Sequence, residues 1–277
     1  MFDAVFLFKD ALYGALLIAL TCSVIGVYVV LRRIVFVGAA LAELSSAGIA
    51  LALWLTGMGW ATTLTGHPLV MSLIVTLAGV LFFALGSGGA RSPIPPDATI
   101  GVTYAVAGAV GILLVAKAAA GEAHDIFLSG NILGITRADT LVLLAVAVPV
   151  LLVHLIFYKE FLFVSFDREM ARTLGYRVGA WNLFLYLTLG LVIAFAMQFA
   201  GVMLVFNFLV LPAVTGLLLS RSMAGTFFVS VLSALVAAVA GFVISVPYDL
   251  PSGPTIIAVS GVLTLLAWVA RSARGKA

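Results

Sequence analysis

In the stretch Ile34-Val-Phe-Val-Gly-Ala-Ala-Leu-Ala-Glu-Leu-Ser-Ser-Ala-Gly-Ile-Ala50, Glu43 is the one acidic residue clearly inside an apolar run. An ionised side chain in hydrocarbon costs about 2.5–3.5 kcal/mol on insertion scales, so Glu43 is expected to face the protein interior or a water-filled path. Two chemistries fit that placement. One is an oxygen ligand for a cation in transit; the other is a protonated or paired carboxylate bonded to a hydroxyl on a neighbouring helix. Ser46 lies one turn further on. Gly38, Ala42, Ser46 and Ala50 recur every fourth residue, a small-residue stripe that lets another helix backbone approach closely. The helix carrying Glu43 is therefore expected to line a seam between helices or subunits.

The remaining polar candidates are scattered. His154, Asn182 and Asn207 lie in or near apolar runs, and His67, Glu122, His124 and Asp125 lie between them. His124-Asp125 pairs an imidazole with a carboxylate, donors that suit zinc or manganese, but two adjacent residues do not make a site. Pro212 lacks a backbone donor and predicts a bend in Gly201–Gly216. The single cysteine, Cys22, lies inside an apolar run and supports neither a disulfide nor a thiolate cluster. Ser165-Phe-Asp-Arg-Glu-Met-Ala-Arg-Thr-Leu-Gly175 predicts a short amphipathic helix. Ser165 or Asp167 can cap it, Phe166, Met170 and Leu174 share one face, and Gly175 stops it. Such a face either docks in a partner's groove or rests on the bilayer.

The elements that position these residues must be membrane helices. Of 277 residues, 64% are hydrophobic and only 9% charged, with a mean hydropathy of +1.28. No soluble domain buries that much apolar surface, which excludes a soluble catalytic domain. The net charge of +3 comes from basic residues that form no patch with interleaved aromatics, which argues against nucleic acid as a partner. Spans are expected near residues 13–31, 34–55, 68–86, 97–117, 140–158, 180–198, 201–219, 223–246 and 254–270, each near the ~20 residues that cross hydrocarbon. The link Gln198 to Gly201 is so short that 180–198 and 201–219 form either a tight hairpin or one broken helix. The expectation is an all-α polytopic bundle of about nine transmembrane helices, or eight, in one domain over residues 1–277. If Arg32 and Arg33 mark the cytoplasmic side, alternation puts eleven of the fourteen Lys and Arg residues there, leaving Lys9, Lys117 and Arg137 outside. That bias places the N-terminus outside and the C-terminus in the cytoplasm. The apolar stretch from Tyr13 to Leu31 follows Asp3 and Asp10 rather than a basic cluster, so it is expected to be a retained helix and not a signal peptide. No Gly-rich phosphate loop is present, so the chain is not expected to hydrolyse ATP or act as an enzyme.

At Phe166, Asp167, Ala171, Leu174 and Gly175 the chain resembles the permeases of ATP-binding-cassette importers for zinc, manganese and iron. The resemblance continues through Leu31-Arg32-Arg33, Asp97-Ala-Thr-Ile-Gly101, Ser129-Gly-Asn-Ile-Leu133 with Asp139, Gly201-Val-Met-Leu204, Leu211-Pro-Ala213 and Asp249-Leu-Pro-Ser-Gly253. It covers nearly the whole chain, and its weak motifs keep a common order and spacing. It implies a type II importer-like permease in the inner, cytoplasmic membrane, with residues 165–175 as the coupling helix that meets the ATPase. In that reading Phe166, Asp167, Met170, Ala171, Leu174 and Gly175 form the coupling surface, and Glu43, Ser46 and Asn207 line the path. The implied partners are a second permease copy forming a homodimer, two cytoplasmic ATPase subunits and an extracytoplasmic substrate-binding protein. No cofactor is implied on this chain, ATP being hydrolysed by a partner, and a divalent metal is the implied substrate. The departure concerns that substrate: where the family carries an Asp and a His four residues apart, this chain has Ala39 and Glu43. A chelated-metal or non-metal cargo is the alternative within the family. An ion-coupled secondary transporter, which would need no docking helix, is the alternative outside it.

Overall fold

The computed structural model describes residues 8–60, 62, 65–86, 95–117 and 132–274, and every regular element in them is helical. The chain runs α1 (Lys9–Leu31), α2 (Val35–Gly57), α3 (Pro68–Gly86), α4 (Pro96–Lys117), a single 3-10 turn (Ile132–Gly134), α5 (Arg137–Ile156), α6 (Tyr158–Phe166) and α7 (Arg168–Thr173). It then continues through α8 (Val178–Leu219), α9 (Met223–Ser245) and α10 (Ser252–Arg274). Eight of these helices are long and apolar enough to cross a membrane. Glu122, His124, Asp125 and Ser129 to Asn131 lie outside the described residues.

α8 resolves the eight-or-nine ambiguity. Its 42 residues would make a straight rod of ~63 Å, twice the thickness of the hydrocarbon core. Gly201 breaks it with φ 71° and ψ 166°, a conformation that a side chain strongly disfavours. Contacts show what the break does. Asn182 touches Arg32 at the end of α1, and the Leu209 backbone packs on Gly26 of that same helix. Gly26 lies only ~9 Å along α1 from Arg32, whereas a continuous rod would hold residues 182 and 209 ~40 Å apart. The chain therefore doubles back around Gly201, giving nine passages among the described residues. Pro212, expected to bend this segment, sits within the helix that follows the break.

The nine passages define two ends. At one, Arg32 meets Ser165 and Asn182, Arg271 reaches the carbonyl of Leu217, and Gly216 packs against Thr226. At the other, Thr140 bonds the carbonyl of Asp10, and Gly241 packs against Ile256. The first span begins at Lys9 and the fifth at Arg137, several residues earlier than hydropathy suggests. For α5 the reason is a capping box: the Asp139 backbone donates to Thr136 Oγ1 at 3.3 Å, while the Thr136 backbone donates to Asp139 at 2.9 Å.

Packing is backbone to backbone. α8 is the hub, contacting α1, α2, α3, α9 and α10, while α4 packs chiefly on α2. One continuous core of Ile25, Leu41, Val80, Leu189, Phe208, Ala237 and their neighbours joins these helices. Gly26 meets the Leu209 carbonyl so closely that a Cβ would collide with it, and a Cβ on Gly48 would lie 2.7 Å from the carbonyl of Met71. In lipid, where apolar surface alone gives helices no preference for each other, such close approach supplies much of the cohesion. Gly26→Val is therefore expected to lower stability by at least about 1–3 kcal/mol, measured as a lower melting midpoint of the detergent-solubilised protein. An unchanged midpoint would show that α1 and the second limb of α8 do not touch there.

Candidate functional site

Two regions hold most of the site residues that the sequence singled out, and Asn207 lies apart from both. The first lies near the middle of α2. Glu43 projects toward α4, where Gly108 leaves room for it: a Cβ there would sit 3.2 Å from Glu43 Oε2. One turn on, Ala47 packs against Gly111 of the same helix, so α2 and α4 run side by side in the same direction. Ala39, one turn before Glu43, is buried and offers no ligand. Ser46 is half-buried. Its neighbour Ser45 is the serine that ties the helices together, sharing a 2.7 Å hydrogen bond with Ser72 of α3, whose hydroxyl also reaches the carbonyl of Ala194 in α8.

Asn207 is placed differently. It lies in the second limb of α8, only 2% exposed, and neither its amide nitrogen nor its oxygen has a hydrogen-bond partner. A buried amide left unpaired costs about 1–3 kcal/mol. α2 meets that limb where Gly38 faces Leu209, more than a turn away from Glu43, and no hydrogen bond links Glu43, Ser46 and Asn207. Among the described residues no three His, Cys, Asp or Glu side chains cluster as a ready-made metal cage. A single carboxylate beside a glycine can coordinate a cation weakly and in passing, which suits a path better than a storage site.

The second region is the helical break beyond α5. Residues 165–175 form two elements and not one amphipathic helix: Phe166 ends α6, and Asp167 turns extended (φ −140°, ψ 94°) before α7 begins. Asp167, not Ser165, is the cap, its carboxylate accepting from the Met170 backbone at 2.8 Å. Ser165 instead donates to the Phe161 carbonyl. α7 ends where Gly175 takes φ +85°, with Tyr176 bonded to the Ala171 carbonyl and Gly175 to that of Arg172. That pair of bonds is a Schellman close. Ala171 is fully buried against Val164 and Val178, which anchors α7 by one face. The other face presents Phe166, Met170 and Leu174 at 60%, 52% and 60% exposure. Three large apolar side chains, one on this short, doubly capped helix and one at each of its flanks, form a contact surface.

Two of the polar candidates are structural. His154 is buried, bonds the Val150 carbonyl through Nδ1 and stacks on Phe161 at 4.7 Å between ring centres. Asn182 accepts from Arg32 Nη1 at 2.8 Å, while Arg32 Nε donates to Ser165 Oγ at 2.8 Å. Arg32, expected only to mark an end of a span, is 8% exposed. Burial, with Arg168 nearby, pushes its guanidinium down to about 10, so it stays charged at neutral pH. Its basic neighbours in sequence gave no sign of that burial.

Eight long apolar helices define a multi-pass membrane protein. Residues 4–271 match the model of the ABC 3 transport family, and the chain belongs to that family. It is 30% identical over 263 residues to the manganese transport system membrane protein MntC of Halalkalibacterium halodurans, covering 94% of this chain and 86% of that protein. It is 28% identical over 263 residues to the chelated iron transport system membrane protein YfeD of Yersinia pestis, covering 94% and 84%. Among solved structures, the PsaBC complex of Streptococcus pneumoniae with a Fab matches with a TM-score of 0.80 at 26% identity, covering 94% of this chain and 90% of that one.

The cap predicts a local effect. Asp167→Ala removes about 0.5–2 kcal/mol from α7, so amide hydrogen exchange over residues 168–173 is expected to accelerate, with Asp167→Asn close to the unaltered protein. Equal protection in Asp167→Ala would show that the cap does not hold the helix.

Proposed function

We propose that this chain is the membrane permease of an ATP-driven importer and moves a divalent metal ion into the cytoplasm. The observation that carries the reading is the presented face of α7: a docking helix is what a permease without its own phosphate loop needs in order to receive work from an ATPase. Two ATPase subunits would seat Phe166, Met170 and Leu174 in grooves, one on each copy of a permease homodimer. A binding protein would deliver substrate at the opposite end. The end carrying Arg32, Arg33, Lys159, Arg168, Arg172, Arg177, Arg221 and Arg271 is then the cytoplasmic one, by the excess of basic residues that faces the cytoplasm in multi-pass proteins. With nine passages the N-terminus lies outside and the C-terminus inside. The membrane is the cytoplasmic, inner membrane, and the chain acts as one domain.

Glu43, Ser46 and Asn207 line the path in this reading. Glu43 supplies a carboxylate, and an oxygen donor suits manganese better than zinc. The names of the relatives, for manganese and for chelated iron, support a metal cargo. Closure of the ATPase pair on α7 would move the helices that flank Glu43 and expose it to one side and then the other.

Two experiments test this in the assembled transporter. Phe166→Asp with Met170→Asp is expected to abolish co-purification of the ATPase; retained assembly and uptake would refute the docking role. Glu43→Gln removes a charge-assisted ligand worth about 1.5–3 kcal/mol, so manganese uptake by whole cells should fall at least about tenfold. Uptake at the unaltered rate would remove the carboxylate from the path.

A further inference from the structure

Arg32 is buried at the point where three parts of the molecule meet. Its Nε donates to Ser165 Oγ at 2.8 Å and its Nη1 to Asn182 Oδ1 at 2.8 Å. Ser165 is one residue before Phe166 and two before the break at Asp167, and its hydroxyl is fixed in turn by the Phe161 carbonyl. Asn182 lies in the first turns of α8, the hub of the bundle. Arg32 itself closes α1, and the turn that follows it is tight: Arg33 takes φ 57°, with Arg33 bonded to the Val30 carbonyl and Ile34 to that of Val29. Only Arg33 and Ile34 separate Arg32 from α2, which carries Glu43. A left-handed residue that is not glycine is held there by its surroundings, here the two backbone bonds that close the turn.

The guanidinium has no carboxylate among its hydrogen-bond partners, and its Nη2 has no partner at all. A buried cation bonded only to neutral oxygens is a poor device for stability, because its desolvation is not repaid by an opposite charge. What the planar fork does supply is direction, since two donors in fixed geometry hold two acceptors at a set separation. Beside it, Phe161 stacks on His154 and contacts Tyr28 and Trp181, so α6 is rigid behind the contact. Ala171 of α7 packs on Val164 of α6 and Val178 of α8, so the docking helix is seated on the two elements that Arg32 joins.

We propose that Arg32 is a positioning residue for transport: through Ser165 and Asn182 it ties α6 and α8, the two elements that flank the docking helix, to the α1–α2 corner, so movement delivered at α7 reaches the helix that bears Glu43. The tie rests on the docking role given above for α7. Without it, α6 and α8 would shift against the α1–α2 corner and the ATPase would cycle without moving the path.

The test uses the complete transporter with its ATPase and binding protein, reconstituted in vesicles, reading manganese accumulated per ATP hydrolysed. The variants are Arg32→Lys, which keeps the charge and loses the fork, Arg32→Ala, and Ser165→Ala. Asn182→Asp keeps the acceptor and adds an opposite charge, so the tie and the manganese-to-ATP ratio should be retained, and a loss equal to that of Arg32→Ala would count against the tie. The expected result is retained co-purification of the ATPase and retained basal ATP hydrolysis, with manganese per ATP reduced about tenfold, within the usual range for coupling between sites. If Arg32→Ala assembles poorly, Arg32→Lys and Ser165→Ala carry the measurement. Uptake and hydrolysis falling in proportion, with their ratio unchanged, would mean that Arg32 only holds the fold and would overturn the proposal. Failure of the docking role is told apart by the paired Phe166→Asp and Met170→Asp substitutions: if these leave assembly intact, the docking reading has failed, whatever Arg32 does.

Discussion

Contact between helix backbones, made possible where a side chain is missing, is the constraint on which the rest of this bundle depends. Gly26 receives the carbonyl of Leu209, Gly48 that of Met71, and Gly108 makes room for the Glu43 carboxylate. Each sets how deep one helix lies against the next, and together they fix where the Glu43 carboxylate points. In water such contacts would add to a large hydrophobic term. In lipid, where helix surface and acyl chain are equally apolar, they carry more of the specificity themselves. The reversal at Gly201 obeys the same logic, since it brings the second limb of α8 back along α1 so that Leu209 can reach Gly26.

That architecture separates two tasks in space. Glu43 lies near mid-membrane between α2 and α4, and the apolar face of α7 lies beyond the helix ends. In the proposed reading, with Glu43 on the path and α7 against the ATPase, transport depends on a mechanical link across the bundle. α2 and α8 are the elements able to provide it: α2 follows the tight corner at Arg33, and α8 begins beside Asn182.

Much of this was legible in the residues. The apolar runs located the membrane helices, and the short link before Gly201 marked the reversal as a hairpin or a broken helix. Phe166, Met170 and Leu174 announced an exposed apolar face. What failed to show were facts about facing. A stripe at every fourth position includes Ser46, yet Ser45 makes the inter-helix hydrogen bond, because one residue turns a helical side chain by about 100° and hydropathy does not record which way the neighbours lie. Asp167 interrupts what periodicity alone joined into one helix, since capping chemistry competes with continuation at that residue. His154 and Asn182 looked like solitary polar groups, and their partners, Phe161 and Arg32, are close only in three dimensions. Arg32 was hidden most completely, as a buried guanidinium and a surface marker of topology have the same sequence.

The central claim is that work done on α7 by an ATP-hydrolysing partner moves metal past Glu43. Reconstituting this chain in sealed vesicles with its ATPase and binding protein, and following radiolabelled manganese, tests it most directly. Manganese is expected to accumulate only when ATP, and not a non-hydrolysable analogue, is supplied on the side carrying α7. Accumulation without nucleotide, driven by a proton or sodium gradient alone, would contradict it.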